Sequence, residues 1–109
     1  RGSVCINSAG EKIYPEEVEE TLKQHPAVED ALVVGVKDDK WGQAVTGVVK
    51  LAEGETLDEA GIIEFIKTQL AHYKAPKHVF AGGPPFRAPN GKADYKSVAA
   101  FAEEQVAQL

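Results

Sequence analysis

The chain has little of several things that would announce a function, and each shortage excludes something. A single cysteine, Cys5, rules out an internal disulfide and fits a reducing compartment such as the cytoplasm. It sits in a short apolar run, where packing explains it better than a catalytic thiol does. Histidine is scarce: His25, His72 and His78 share no metal-ligand spacing, and Cys5 is remote from them in sequence, so no metal site is expected. Positive charge is in deficit, with 12 Lys and Arg against 17 Asp and Glu and a net charge of −5. That balance argues against a general polyanion binder, so no nucleic-acid partner is expected. No apolar run approaches the ~18 residues of a membrane helix. Gly82-Gly83-Pro84 lacks the Gly-Lys-Ser/Thr ending and the helix start of a phosphate loop. There is no internal repeat and no low-complexity tract.

What is present is ordinary for one folded domain: 109 residues, 43% hydrophobic and 27% charged. Arg1 opens the chain with neither a methionine nor a signal-like segment, which leads us to expect a piece of a longer protein. Apolar runs at residues 4–6 and 12–14 flank Asn7-Ser8-Ala9-Gly10-Glu11 and predict a small β-ribbon. Pro15 stands where a helix can start, with Glu16 and Glu17 in its first turn and Val18 and Leu22 as its buried stripe. Pro26 is expected to end this helix near His25. The acid run Glu16–Glu20 reads as a solvated face. The second half of residues 28–36 predicts a buried strand, residues 37–43 a polar loop around Trp41-Gly42, and residues 44–51 a second strand paired with the first. Thr56-Leu57-Asp58-Glu59 has capping-box spacing, with Thr56 expected as N-cap, and Ile62, Ile63, Ile66 and Leu70 trace a helical face. Residues 78–81 predict a short third strand. Residues 82–91 must be irregular, and a last helix should start near Asp94 or Tyr95, with Val98, Phe101, Ala102 and Val106 inward.

The predicted fold is therefore α+β. It has a small mixed sheet of about three main strands plus a short N-terminal β-ribbon, covered by about three helices. The loops long enough to carry function are 7–11, 37–43 and 72–93.

Two basic clusters stand out in an acidic chain. Tyr73-Lys74-Ala75-Pro76-Lys77 places two lysines and an aromatic ring on one rigid turn, and lysine heads pair with phosphates while a flat ring stacks on a base. Lys92 sits at the tip of Pro89-Asn90-Gly91, a turn that leaves its side chain free to project. From these residues alone Lys92 is either a solvated turn lysine or a cation offered to a partner's phosphate or carboxylate. Trp41 either caps the core or lines a ligand surface.

The order of motifs carries a resemblance. Gly10-Glu11-Lys12-Ile13-Tyr14-Pro15-Glu16-Glu17-Val18-Glu19, His25-Pro26-Ala27-Val28, Val33-Val34-Gly35-Val36, Asp39-Lys40-Trp41-Gly42-Gln43, Tyr73-Lys74-Ala75-Pro76-Lys77 and Asn90-Gly91-Lys92 follow one another as in the C-terminal domain of the acyl-adenylate-forming enzymes. The chain resembles that domain along nearly its whole length, and its two ends are most similar to those of bacterial fatty-acyl-CoA ligases.

The resemblance implies a single domain, residues 1–109, that acts as the mobile lid of a longer ligase whose N-terminal domain, absent here, binds ATP, Mg²⁺ and the acid. It implies cytoplasmic work, or attachment to a membrane surface through that absent domain. Lys92 matches the catalytic lysine of adenylation. Ser8, Ala9, Gly10 and Glu11 match the loop that faces the pantetheine arm of CoA. Tyr73, Lys74 and Lys77 match positions that contact the CoA nucleotide, and Trp41 lies in a motif near that face. Arg1 and Ser3 match the hinge. The partners implied are the ligase's own N-terminal domain, CoA and the acyl-adenylate, and the isolated piece should be inactive. Two other readings stand beside it: an adenylation domain that loads a carrier protein, and a free-standing α+β interaction or nucleotide-binding module.

Overall fold

A computed structural model describes residues 5–109. The expected hinge residues Arg1 and Ser3 lie outside the described residues. The elements run β1 (Ile6–Ser8), β2 (Glu11–Ile13), α1 (Pro15–Leu22), β3 (Val28–Asp38), β4 (Gly42–Leu51), α2 (Glu59–Gln69), a 3₁₀ turn (His72–Lys74), β5 (His78–Ala81) and α3 (Tyr95–Ala107). Together β1 to β5 form one five-stranded sheet. β3 and β4 pair antiparallel along their whole length, β5 adds parallel to β4, and the β1–β2 ribbon joins β4 through Ser8 and Gly42. The sheet is thus mixed, with a short ribbon, as the sequence predicts.

Strand alternation explains why β3 is so apolar. Ala31 and Val33 point to one face, with Val45, Val49 and Val79, under α1 and α2. Leu32, Val34 and Val36 point to the other, with Val48, under Val98 and Ala102 of α3. Both faces are covered, so the strand carries a continuous hydrophobic run. The helix stripes match. Val18, Leu22, Ile62 and Ile66 are fully buried, and each is worth about 1.5–3 kcal/mol of transfer free energy.

Four boundaries differ from expectation. Helix α1 stops at Leu22, several residues before Pro26, because Lys23, Gln24 and His25 turn back onto Glu19, Thr21 and Leu22 through backbone bonds. β3 spans all of Val28–Asp38. Its polar start is accommodated by a register shift between Val28 and Asp30 and by a Glu29–Lys50 ion pair of 3.2 Å across the strands. The predicted loop 37–43 shrinks to a tight turn. The N-cap of α2 is Asp58, whose carboxylate accepts the Gly61 N–H; Glu59 instead reaches out of the helix to accept the Val79 N–H at 2.8 Å. Among the described residues no helix is long and apolar enough to cross a membrane.

Candidate functional site

The β1–β2 ribbon turns through two residues, Ala9 and Gly10, both with positive φ (53° and 85°). That geometry matches the strand twist of a tight hairpin and suits glycine best. Ala9, Gly10 and Glu11 are exposed at its tip, whereas Ser8 is only 3% exposed and faces inward. The turn is held from behind: the Ala9 N–H donates to the Trp41 carbonyl at 2.7 Å, and the Asn7 N–H donates to Gln43 Oε1 at 2.8 Å.

Trp41 belongs to neither core cluster. Its own turn is fixed by Asp38, whose Oδ1 accepts the Lys40 and Trp41 N–H groups at 2.8 and 3.0 Å. The half-buried indole carries two cations, with Lys77 Nζ 4.4 Å and Lys40 Nζ 5.0 Å from the ring centroid. The Lys77 ammonium is held below its ordinary range, first by burial and then by Lys67 and Lys40. An anion arriving there would relieve that crowding. The structure therefore brings the hairpin tip, Trp41 and Lys77 into one neighbourhood, with Trp41 outside both core clusters.

Tyr73 is exposed on the 3₁₀ turn, and Lys74 Nζ lies 2.9 Å from Glu17 Oε1 and 5.9 Å from the Tyr73 ring. The Glu17 carboxylate raises the Lys74 pKa. Lys74 is already partnered, whereas among the described residues Lys77 pairs with no carboxylate. Between them, Ala75 is buried in the core and anchors the turn.

Lys92 is elsewhere. Residues 86–94 form a looped hairpin, with an Arg87–Ala93 bridge, Ala88 N–H to Lys92 O at 2.9 Å, Gly91 N–H to Ala88 O at 2.8 Å and Asp94 N–H to Phe86 O at 2.8 Å. The Asn90 carboxamide oxygen accepts the Lys92 N–H at 3.0 Å. The backbone is pinned while the side chain is exposed, and among the described residues its ammonium forms no ion pair. Lys92 and Arg87 border a groove of about 450 Å³, with Glu16, Glu19, Glu20 and Lys23 of α1 along its other side and Leu32 in its lining. From Leu32 to Asp38, which caps the Trp41 turn, runs roughly 20 Å of strand at about 3.3 Å per residue. The domain thus presents two separate cationic positions. A larger, mainly apolar groove of about 640 Å³ over residues 82–87 contains none of the expected site residues.

One residue was missed from sequence. Glu19, inside the run read as a solvated face, is only 6% exposed. Its Oε2 accepts the Val33 N–H at 3.0 Å on the outer edge of β3 and the Tyr95 hydroxyl at 2.7 Å on α3. Burial raises its pKa above the ordinary 4.5, outweighing those two hydrogen bonds, with Glu16 adding and Lys23 opposing. The position beside Val18 on the inner half of α1 was the available signal. A carboxylate whose folded pKa is raised contributes most to stability below its unfolded value, and that contribution is lost as pH rises through the folded value. Glu19→Gln, which lacks this titration, should therefore gain stability relative to the parent as pH rises from 4.5 upward. Denaturation midpoints of both proteins across that range test it, and a pH-independent difference would contradict it. Among the described residues no group of three or more His, Cys, Asp or Glu could hold a metal ion.

Residues 17–82 match the model of the AMP-binding enzyme C-terminal domain, and the chain belongs to that family. It is 54% identical over 98 residues to the 3-oxocholest-4-en-26-oate–CoA ligase of Rhodococcus rhodochrous, covering 88% of this chain and 17% of that one. It is 49% identical over 107 residues to a medium/long-chain-fatty-acid–CoA/3-oxocholest-4-en-26-oate–CoA ligase of Mycolicibacterium smegmatis, covering 98% and 19%. Among solved structures, the fatty acyl CoA synthetase of Mycobacterium tuberculosis superposes with a TM-score of 0.82 at 33% identity, covering 93% of this chain and 20% of that one. The chain thus spans about a fifth of the length of these relatives.

Proposed function

We propose that this domain is the C-terminal lid of an ATP-dependent acyl-CoA ligase acting on a fatty or similarly apolar acid in the cytoplasm. A larger domain, not in this chain, would hold ATP, Mg²⁺ and the acid; among the described residues no carboxylate cluster suits the metal. In the first step a carboxylate oxygen attacks the α-phosphorus of ATP, the bond to pyrophosphate breaks, and an acyl-adenylate forms. Negative charge builds on the nonbridging oxygens and the departing pyrophosphate. One ammonium placed there stabilises the transition state more than the ground state, and Lys92 is the residue we assign to that task. In the second step the CoA sulfur attacks the acyl carbon, the bond to AMP breaks, and the thiol proton is lost. The exposed Ala9–Glu11 tip would lie along the pantetheine arm, where a small backbone permits close approach. Tyr73, Lys77 and Trp41 would meet the nucleotide of CoA, with Lys74 able to join by leaving Glu17.

The observation that carries the reading is the separation of the two cationic positions on one rigid domain. Two separate cationic positions suit a lid that presents a different face to the catalytic centre in each step. In a full-length ligase carrying this domain, Lys77→Ala should raise KM for CoA about tenfold and leave adenylate formation near the parent rate, as expected for one charge-assisted contact. Steady-state kinetics with free CoA, beside a phosphopantetheine-loaded carrier protein as acceptor, check this. Preference for the carrier protein, with Lys77→Ala silent toward CoA, would overturn the choice of acceptor.

A further inference from the structure

We propose that the Glu19–Tyr95 hydrogen bond is a positioning device for the Lys92 turn; the inference rests on the assignment of Lys92 to adenylation made above. Tyr95 is the first residue of α3, three residues after Lys92, and Asp94 caps the helix by accepting the Ser97 N–H at 3.1 Å. The turn leaves that helix start through the Asp94–Phe86 bond and the Arg87–Ala93 bridge. Whatever fixes Tyr95 therefore fixes the C-terminal leg of the turn. Glu19 does so from α1, while the Val33 N–H ties the same carboxylate oxygen to β3. Burial and the Glu19 carboxylate keep the Tyr95 hydroxyl protonated, so it remains a donor.

The same helix holds the other functional turn. Glu17, two residues before Glu19 and so on the far side of α1, grips Lys74 at 2.9 Å. Helix α1 is thus a bar with one carboxylate on each turn. The Glu17–Lys74 pair is exposed, whereas Glu19 is almost covered and its bond to Tyr95 is partly buried. The bond with less water around it sets position more firmly, so Glu19 governs the turn whose lysine must meet a developing charge.

The test uses the full-length ligase and measures both half-reactions. Tyr95→Phe removes only the hydroxyl and should lower the rate of acyl-adenylate formation about tenfold, with KM for ATP near the parent value and thioester formation from supplied acyl-adenylate within about twofold, the scale expected of a small misplacement. Glu19→Ala should match it. Glu19→Gln should restore adenylation to within about threefold, because both hydrogen bonds converge on one oxygen that a carboxamide also offers. A sheet-edge brace with no positioning role would lower both half-reactions together or neither, and either result overturns the inference. Lys92→Ala is run in parallel. If it spares adenylation, the assignment of Lys92 fails; if it abolishes adenylation while Tyr95→Phe does not slow it, only the positioning role fails.

Discussion

Lys92→Ala, in a full-length ligase carrying this domain, should slow acyl-adenylate formation by on the order of 100- to 1,000-fold, the range for removing one preorganised group that faces transition-state charge. KM for ATP and acid should change little if, as proposed, the lysine stabilises charge that builds mainly in the transition state. The Lys92 side chain is exposed and carries none of the fold, since the turn is held by backbone bonds and by Asn90. Stability should therefore stay near the parent value, and the kinetic loss cannot be traced to unfolding. Thioester formation from supplied acyl-adenylate should be largely spared, because the Trp41–Lys77 neighbourhood is left untouched. Quenched-flow measurement of pyrophosphate release and of thioester formation separates the two.

Gly83→Ala should be the most damaging small substitution among the described loops. Gly83 has φ +93°, and a Cβ there would lie 2.8 Å from the Phe101 ring of α3. The left-handed backbone alone penalises a side chain by about 1 kcal/mol, and forcing the ring aside adds roughly 1–3 kcal/mol. The sum, about 2–4 kcal/mol, should lower the melting temperature of a domain this size by about 10–20 °C. The damage should also reach function. Residues 82–85 feed directly into Phe86 and Arg87, which frame the Lys92 turn, so surviving protein should lose adenylation more than thioester formation. Calorimetry of the variant checks the first claim, and a melting temperature equal to the parent's would contradict it.

The sequence revealed the elements and most of the loops, because both depend on short-range rules. Pro15, the Val18–Leu22 and Ile62–Ile66 stripes, the Ala9-Gly10 turn and the glycine-proline stretch at 82–91 each act through their neighbours in the chain. Asp58 displaced Thr56 as N-cap because Glu59, expected to reach back to the cap, was taken instead by the Val79 N–H, a partner 20 residues away. β3 hid its first residues because Glu29 and Asp30 look like loop until the Glu29–Lys50 pair and the register shift accommodate them. Glu19 was illegible for the same reason in stronger form: its partners, Val33 and Tyr95, lie 14 and 76 residues away. Lys92 and Lys77 were named from motif order. Their separation, and the Lys77–Trp41–Ala9 chain of contacts, needed the sheet to be assembled.

The central claim is that two cationic positions on this domain serve different steps. Its most direct measurement is the ratio of adenylation rate to thioester-forming rate in the full-length ligase, taken for Lys92→Ala and for Lys77→Ala at subsaturating CoA. The account predicts that the ratio falls steeply in the first variant and rises in the second. Equal loss of both steps in either variant, with the ratio unmoved, would contradict it.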